Sequence, residues 1–310
     1  MKTMNNPLVS VVIPTKNRSK FVLKAIESVM VQTYKNFEII VVDDGSDIPL
    51  APLLLEKFGN KIICIRNDKS CGAPVARNIG SKVAMGEFIA FLDDDDFWTE
   101  NKLKMQVLKL MNNKSTGLVY SGFSYVYDDS TLFTSSPLLK GDFSGQLLEK
   151  NFIGSASIPL LRKKLYIECG GFDPSFVSCQ DWELWIRIAS KAGLDFVDDC
   201  LVFRSVHGDQ ITSNCFKKIE GREQLIEKHR ELFLRHPFQL SKQYQRLGTL
   251  KLITNMPRSA RKHFSESLKL YKLSIVSFLG FILSFLPHWC YGKILSRLAI
   301  SRLGNITFYH

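Results

Sequence analysis

Four consecutive aspartates, Asp93–Asp96, are the segment of this sequence with the clearest chemistry. They follow the apolar run Phe88–Leu92 and precede Phe97 and Trp98, so a freely solvated acidic turn is the less favoured interpretation. Adjacent carboxylates repel one another, and some stay protonated unless a cation lies among them. Hard divalent cations such as Mg²⁺ and Mn²⁺ bind carboxylate and phosphate oxygens together. The run therefore indicates a site for a divalent cation and a phosphorylated ligand.

A second acidic pair, Asp43 and Asp44, precedes Gly45 and Ser46 and follows another apolar run. Alone, Asp-Asp-Gly-Ser is as consistent with an ordinary turn as with a site. A partner acidic run at the end of a neighbouring strand favours the site. A carboxylate at this place is suited to accept hydrogen bonds from a nucleoside base.

Two further segments carry candidate groups. Gly72–Gly80 is rich in small residues and contains Arg77, whose planar fork of donors fits a phosphate; an ordinary surface arginine is the alternative. Asp181 stands among aromatic residues, where partial burial raises a carboxyl pKa and suits a general base; a simple helix N-cap is the alternative. The lone His207 is either structural or a further metal or phosphate contact.

The elements that must position these groups follow from periodicity. Continuous apolar runs predict buried strands, and helical patterns separate them; the runs are Val9–Ile13, Phe37–Val42, Ile62–Ile65 and Phe88–Leu92. Repeated strand–helix units of this kind predict an α/β fold with a mostly parallel sheet covered by helices on both faces. Because ligands bind at the carboxyl ends of such strands, the segment Pro14–Arg18 should lie beside both acidic runs. The first strand is expected to stop at Pro14.

Charge divides the chain unevenly. Residues 1–216 hold 24 Lys and Arg against 25 Asp and Glu, whereas residues 217–310 hold 17 against 5. We expect a catalytic domain over 1–216, with a nucleotide half at about 7–115 and an acceptor half at about 116–216. The region 217–310 should be a basic helical tail.

The tail contains the uncharged segment Leu273–Leu286, which is shorter than the roughly 20 residues that span a bilayer. Its Lys, Trp and Tyr neighbours favour attachment to an anionic membrane surface, and packing against the catalytic domain is the alternative. Nucleic acid is a poor match for this apolar run and for the acidic sheet edge.

Cysteine usage bears on the compartment. The seven cysteines are odd in number and show no C-x-x-C spacing, which favours a reducing environment. The first residues lack a signal-peptide pattern. We therefore expect a cytoplasmic protein, either free or bound to the inner face of the cytoplasmic membrane.

Six segments taken together resemble the family-2 glycosyltransferases of the GT-A fold. They span about Pro7 to Thr212 and occur in the family's order with similar spacing. The segments are VSVVIPTKNR (9–18), QTYKNFEIIVVDDGS (32–46), GAPVARNIG (72–80), GEFIAFLDDDDFW (86–98), GGFDPSF (170–176) and QDWELWIRIA (180–189). The resemblance implies a GT-A-type, Rossmann-like sheet followed here by the helical tail.

The resemblance also implies roles for single residues. Asp93 and Asp95 correspond to the acids of the family's D-x-D motif and would bind the metal, with His207 as a further ligand. Asp181 corresponds to the catalytic base. Because four aspartates are adjacent, a register shifted by one residue stays open. The residues implied to bind the nucleotide-sugar are Pro14, Thr15, Asn17, Arg18, Asp44, Arg77, Asp93 and Asp94.

The activity implied is inverting, Mn²⁺- or Mg²⁺-dependent transfer of a hexosyl or N-acetylhexosaminyl group, with a UDP-sugar favoured as donor. The acceptor would be a saccharide or a lipid-linked saccharide in the synthesis of bacterial surface polysaccharide, lipopolysaccharide or O-antigen. A sugar-nucleotide nucleotidyltransferase is the first alternative, although its Gly-rich phosphate loop is replaced by PTKNR. The other is an inactive, membrane-associated binding protein of the same fold, which the presence of Asp44, Asp95 and Asp181 disfavours.

Overall fold

A computed structural model describes residues 6–127, 130–137, 143–206 and 214–287. This part of the chain forms two compact units. The first comprises residues 1–139, 153–174 and 187–207, and the second comprises residues 140–152, 175–186 and 208–310. The second unit thus combines the C-terminal helices with two segments that precede residue 208.

The strands and the helices are each numbered in chain order. The strands are β1 (Val9–Thr15), β2 (Phe37–Asp43), β3 (Ile62–Arg66), β4 (Phe88–Phe91), β5 (Asp96–Trp98), β6 (Thr116–Tyr127), β7 (Ser130–Ser135), β8 (Leu160–Arg162) and β9 (Gly193–Ser205). The helices are α1 (Ser19–Met30), α2 (Ala51–Phe58), α3 (Ala73–Val83), α4 (Lys102–Asn112), α5 (Phe143–Glu149), α6 (Lys163–Glu168), α7 (Gln180–Ala189), α8 (Cys215–Lys228), α9 (Arg230–Leu234), α10 (Pro237–Ile253), α11 (Pro257–Leu270) and α12 (Ile275–Leu283).

All of these strands belong to one sheet in the first unit, in the order β3-β2-β1-β4-β8-β6-β9-β5, with β7 paired to β6. The pairs β3–β2, β2–β1, β1–β4 and β6–β9 are parallel, whereas β8 runs antiparallel to both β4 and β6. Every residue of β1 is buried, as expected for a strand with a neighbour on each side. The predicted α/β fold with a mostly parallel sheet is confirmed.

The first strand does not stop at Pro14, contrary to the expectation from sequence. Pairing with β2 continues through Pro14 and Thr15, whereas pairing with β4 ends at Val12. The Val12 carbonyl accepts from Leu92 and the Thr15 carbonyl accepts from Asp44, so successive backbone groups of β1 alternate between the two neighbours. The N–H that Pro14 lacks would face the β4 side, where the ladder has already ended, and the strand therefore tolerates proline.

The second unit is helical, and buried contacts join its sequence-distant parts. Trp182 of α7 donates its indole N–H to the Leu147 carbonyl of α5 at 2.5 Å. Gln243 of α10 donates to the carbonyls of Leu148 and Glu149 at 2.6 and 2.8 Å. Farther along the chain, Leu252, Ala260 and Phe264 form a core, against which Phe281 and Leu283 pack. No helix in the described residues is long and apolar enough to cross a membrane.

Candidate active site

The sheet edge brings together the segments that follow β1, β2 and β4. Thr15 donates to Asp94 at 2.7 Å, and the Asn17 backbone N–H donates to Ser46 at 2.9 Å. Arg18 contacts both Asp94 and Asp95, at 3.2 and 3.1 Å. Residues 79 positions apart in the chain are thus in direct contact, as expected of the carboxyl ends of neighbouring parallel strands.

Burial alternates along the acidic run. The side chains of Asp93 and Asp95 are 24% and 13% exposed, whereas those of Asp94 and Asp96 are 9% and 3% exposed. The run forms a turn, closed by the Asp96 backbone N–H donating to the Asp93 carbonyl at 3.1 Å, and its side chains therefore point in different directions. Of the two registers left open by the sequence, the one with Asp93 and Asp95 therefore presents the more accessible carboxylates.

The two inward acids have structural partners. Asp94 accepts from Thr15 and Arg18; burial raises the pKa of Asp94 to about 6, although these two groups act in the opposite direction. Asp96 accepts from Ser157 at 2.7 Å and lies 3.7 Å from the buried Arg204. Burial also raises the pKa of Asp96, against the opposing charge of Arg204.

Two arginines lie against the outward acids. Arg77 of α3 is buried, contacts Asp93 at 2.5 Å and lies with its guanidinium carbon 5.0 Å from the Phe172 ring centroid. The half-buried Arg18 contacts Asp95 at 3.1 Å. Four charged groups of both signs thus meet at one sheet edge, an arrangement that suits a diphosphate together with a cation.

Asp44 is buried beneath a loop formed by residues 67–72. Its two carboxyl oxygens accept from the Asn67 and Ser70 side chains and from the backbone N–H groups of Cys71 and Gly72, at 2.7 to 3.1 Å. Burial alone would raise the pKa of Asp44, but these hydrogen bonds outweigh it and lower the pKa. In this structure Asp44 therefore holds the loop after β3 in place beside β2.

Asp43 and Asn17 order the neighbouring turns. Asp43 accepts from the backbone N–H groups of Ser46 and Leu50 and from Arg66, and the pKa of Asp43 is lowered, since the hydrogen bonds outweigh burial. Asn17 has a left-handed backbone (φ 55°), which asparagine tolerates, and its amide exchanges two hydrogen bonds with Asp47. Pro14 is buried within β1.

Asp181 belongs to the second unit and lies in the first turn of α7, one residue after the helix begins at Gln180. It is therefore not the N-cap, and that alternative is wrong. The next two residues, Trp182 and Glu183, are buried, and Glu183 contacts Lys228 at 2.8 Å and His229 at 3.2 Å. These contacts fix the first turn of α7 against the end of α8. His207 lies outside the described residues.

The side-chain oxygens at this edge suit a cation that is bound partly by the protein and partly by a ligand, rather than one bound by protein side chains alone. In the part of the chain that the structure describes, no three His, Cys, Asp or Glu side chains cluster as a metal site. Asp93 and Asp95 supply hard oxygen ligands, and Mg²⁺ commonly binds through one or two carboxylates together with substrate phosphates and water. The residues thus fit a divalent cation that arrives with a phosphorylated ligand.

Sequence reasoning missed two residues of this site, Ser157 and Arg204. Ser157 accepts from the Asp93 backbone N–H at 3.0 Å and donates to Asp96 at 2.7 Å, so it holds both ends of the acidic run. Nothing in the surrounding sequence marks Ser157. Arg204 could have been suspected, because a single arginine inside the apolar strand Leu201–Val206 needs a buried acid as partner.

The sequence is similar to known glycosyltransferases. Residues 10–170 match the sequence model of Glycosyl transferase family 2. The chain is 31% identical over 220 residues to the Escherichia coli UDP-Glc:alpha-D-GlcNAc-diphosphoundecaprenol beta-1,3-glucosyltransferase WfgD, covering 70% of this chain and 84% of WfgD. It is 32% identical over 259 residues to the putative colanic acid biosynthesis glycosyl transferase WcaA of Escherichia coli K12, covering 81% and 90%.

Among solved structures, residues 1–349 of S. aureus TarS in complex with UDP-GlcNAc superpose with a TM-score of 0.58 at 16% identity, covering 85% of this chain and 89% of that chain. At this identity the likeness concerns the fold, which is of the GT-A type.

Proposed function

The chain belongs to glycosyl transferase family 2 and is a glycosyltransferase, and from this premise we propose that it moves a hexosyl or N-acetylhexosaminyl group from a UDP-sugar to a lipid-linked saccharide. The observation that carries the proposal is the sheet edge where Asp93 and Asp95 remain accessible beside Arg18 and Arg77. The relatives support the substrates, since WfgD is named for UDP-glucose and a diphosphoundecaprenol-linked acceptor and TarS was solved with UDP-GlcNAc.

On the donor side, the nucleoside would lie against Pro14–Arg18 and the loop that Asp44 holds. Arg18 and Arg77 would bind the diphosphate, because their guanidinium groups already lie at this edge and fit phosphate oxygens. When the diphosphate binds, each arginine would replace its ion pair with an aspartate by an ion pair with a phosphate.

A divalent cation, Mn²⁺ or Mg²⁺, would be held by Asp93 and Asp95, with His207 as a further candidate. When bound, such a cation neutralises the charge that develops on a leaving nucleoside diphosphate. Arg18 and Arg77 contribute to the same stabilisation through positive charge fixed in place before the reaction.

On the acceptor side, Asp181 would take the proton of the attacking hydroxyl. One base is sufficient, because the leaving diphosphate needs charge neutralisation rather than a proton. A single displacement from the face opposite the leaving group inverts the anomeric configuration. The proposed setting is the assembly of a cell-surface polysaccharide, such as an O-antigen, on the cytoplasmic side of the membrane.

The donor is tested by thermal shift and by hydrolysis of UDP-, GDP- and dTDP-sugars, each with Mn²⁺ and with EDTA. A uridine nucleotide that stabilises the protein only in the presence of metal is the expected result. A preference for guanosine or thymidine nucleotides would contradict the donor, and equal activity in EDTA would contradict the cation.

The base is tested by Asp181→Asn with the donor found in that screen. We expect kcat to fall roughly 10²–10⁴-fold while the Kd of the nucleotide is retained, because the loss concerns only proton transfer. Proton NMR of the product gives the anomeric configuration. A retained configuration, or a variant that loses nucleotide affinity at unchanged kcat, would refute this assignment.

A further inference from the structure

We propose that the outward face of α12 is a docking surface for an anionic lipid bilayer. This face consists of large apolar residues, each between 44% and 78% exposed. They are Leu273, Ile275, Val276, Phe278, Leu279, Ile282, Phe285 and Leu286. An exposed patch of this extent, on the order of several hundred Å², marks an interaction site on a protein surface. The inference deepens the proposed function and rests on it for the lipid-linked acceptor.

The helix has the reverse of ordinary amphipathic polarity. The residues that α12 and its ends bury are small, namely Ser274, Ser277, Gly280 and Ser284. A surface helix of a globular protein normally buries its large apolar residues and exposes small or polar ones. The large apolar residues are therefore exposed because α12 packs through its small residues, and not because the helix is poorly packed.

Specific contacts fix this orientation. Ser277 shares a hydrogen bond with Ser267 of α11 at 2.7 Å, and Ser274 donates to Gln245 of α10 at 3.2 Å. A Cβ added to Gly280 would lie 2.4 Å from the Phe264 ring, so this face is in close contact with α11. Turning the apolar residues inward would break the serine contacts and force large side chains against Phe264.

Charge favours an anionic surface as the occupant. From Pro257 to Pro287 the sequence holds five Lys or Arg and one Glu, and residues 288–310 add three more basic residues and no acid. The residues Arg258, Lys262, Lys269 and Lys272 are exposed. Basic side chains near anionic headgroups add attraction that a neutral or polar partner would not supply.

The dimensions point to a helix that lies on the bilayer. The nine residues of α12 extend about 14 Å, roughly half of a 30 Å hydrocarbon core. Large apolar residues along one side, with Lys272 directly before the first of them and the Arg261 guanidinium carbon 3.5 Å from the Phe285 ring centroid, are the pattern of an interfacial helix.

The test uses the full-length protein and sedimentation with vesicles of phosphatidylglycerol or of phosphatidylcholine at low and high salt. We expect binding to the anionic vesicles, weakened by salt, and a reduction of at least about tenfold in Leu279→Glu or Phe278→Glu. Ile48→Glu is the matched control, because Ile48 is an exposed apolar residue of the first unit, and it should bind like the wild type.

Several results would overturn the inference: no vesicle binding at low salt, binding that Leu279→Glu leaves unchanged, or a dimer in vesicle-free buffer that Leu279→Glu dissociates. The last would make this face an interface between copies. A Leu279→Cys variant that takes up no more maleimide in buffer than the wild type, whose own cysteines include the exposed Cys71, would show that this face is covered in solution. Binding of UDP with Mn²⁺, measured on the same samples, separates the two proposals, because vesicle binding without nucleotide binding would support the docking surface and contradict the proposed function.

Discussion

At the residue scale, Asp93 and Asp95 are the more exposed acids of the run and Asp94 and Asp96 the more buried, and we expect only the exposed pair to act on the substrate. Asp95→Ala should lower transfer at least about a hundredfold with little change in stability, because Asp95 is among the accessible carboxylates. Asp96→Ala should lower the free energy of unfolding by about 1–3 kcal/mol, because it leaves Ser157 and Arg204 with a missing buried partner. Urea denaturation and an activity assay on both variants check this. The opposite pattern would indicate a register shifted by one residue.

Asp44 gives a pH-dependent prediction. Its folded pKa lies below the ordinary value of 3.8, so its stabilising contribution is complete above about pH 4 and is lost as pH falls through the folded pKa. Asp44→Asn should cost about 1.5–3 kcal/mol at pH 7 through weaker bonds to Cys71 and Gly72. For unfolding curves of both proteins measured from pH 7 down to pH 3, the stability difference should begin to shrink once the pH falls below about 4. A constant difference over that range would show that the charge of Asp44 is not what stabilises the loop.

The sequence predicted that the segments after β1, β2 and β4 meet at one sheet edge, because Arg18, Asp44 and the acidic run each follow an apolar strand. Arg77 lies on α3 and was indicated only by its segment of small residues. Arg18 and the aspartates were identified, and the structure places them in contact. Ser157 was not found, because its two partners lie 64 and 61 residues away in the chain and a lone serine carries no local pattern. What each identified group does to a substrate stays a prediction.

At the element scale, strands with a regular apolar sequence could be predicted, and strands with an irregular one could not. The four continuous apolar runs became β1 to β4. An unbroken apolar sequence is expected of strands buried on both faces, as β1, β2 and β4 largely are, whereas β3 is a partly exposed edge strand. The long parallel pair β6 and β9 was not predicted. Its register shifts near Gly122 interrupt any simple alternation, and its paired residues lie 76 to 79 positions apart in the chain, from Leu118↔Leu194 to Val126↔Ser205.

The packing of α10, α11 and α12 around Phe264 allows a prediction for these elements. A Cβ at Gly280 or at Gly248 would come within 2.4 or 2.8 Å of that ring. Gly280→Ala should therefore destabilise the protein by about 1–3 kcal/mol, even though alanine favours a helix by about 1 kcal/mol. Phe264→Leu should restore part of the loss in the double variant, which chemical denaturation can measure. A stabilised Gly280→Ala variant would show that α12 is not seated against Phe264.

At the scale of the whole molecule, the C-terminal helices share a compact unit with α5 and with residues 180–186 of α7. A chain ending at Asn214 would lose Lys228 and His229, which contact the buried Glu183, and Gln243, which bonds to α5. An uncompensated buried carboxylate costs several kcal/mol. We expect such a chain to be poorly soluble, with Trp182 and Trp185 fluorescence shifted towards that of exposed indole. Cooperative unfolding at the full-length Tm would contradict this.

The pairing of arginines with aspartates at the donor edge has a thermodynamic consequence. A diphosphate that engages Arg18 and Arg77 withdraws positive charge from Asp93 and Asp95, and the affinity of these carboxylates for a cation then rises. Nucleotide and metal are thereby linked ligands, and each must strengthen the other by the same factor. Calorimetric titrations of UDP at several Mn²⁺ concentrations, and of Mn²⁺ at several UDP concentrations, should yield a single coupling free energy. If the affinity for UDP did not depend on Mn²⁺, nor that for Mn²⁺ on UDP, then Arg18 and Arg77 would stay bound to the aspartates when the nucleotide binds.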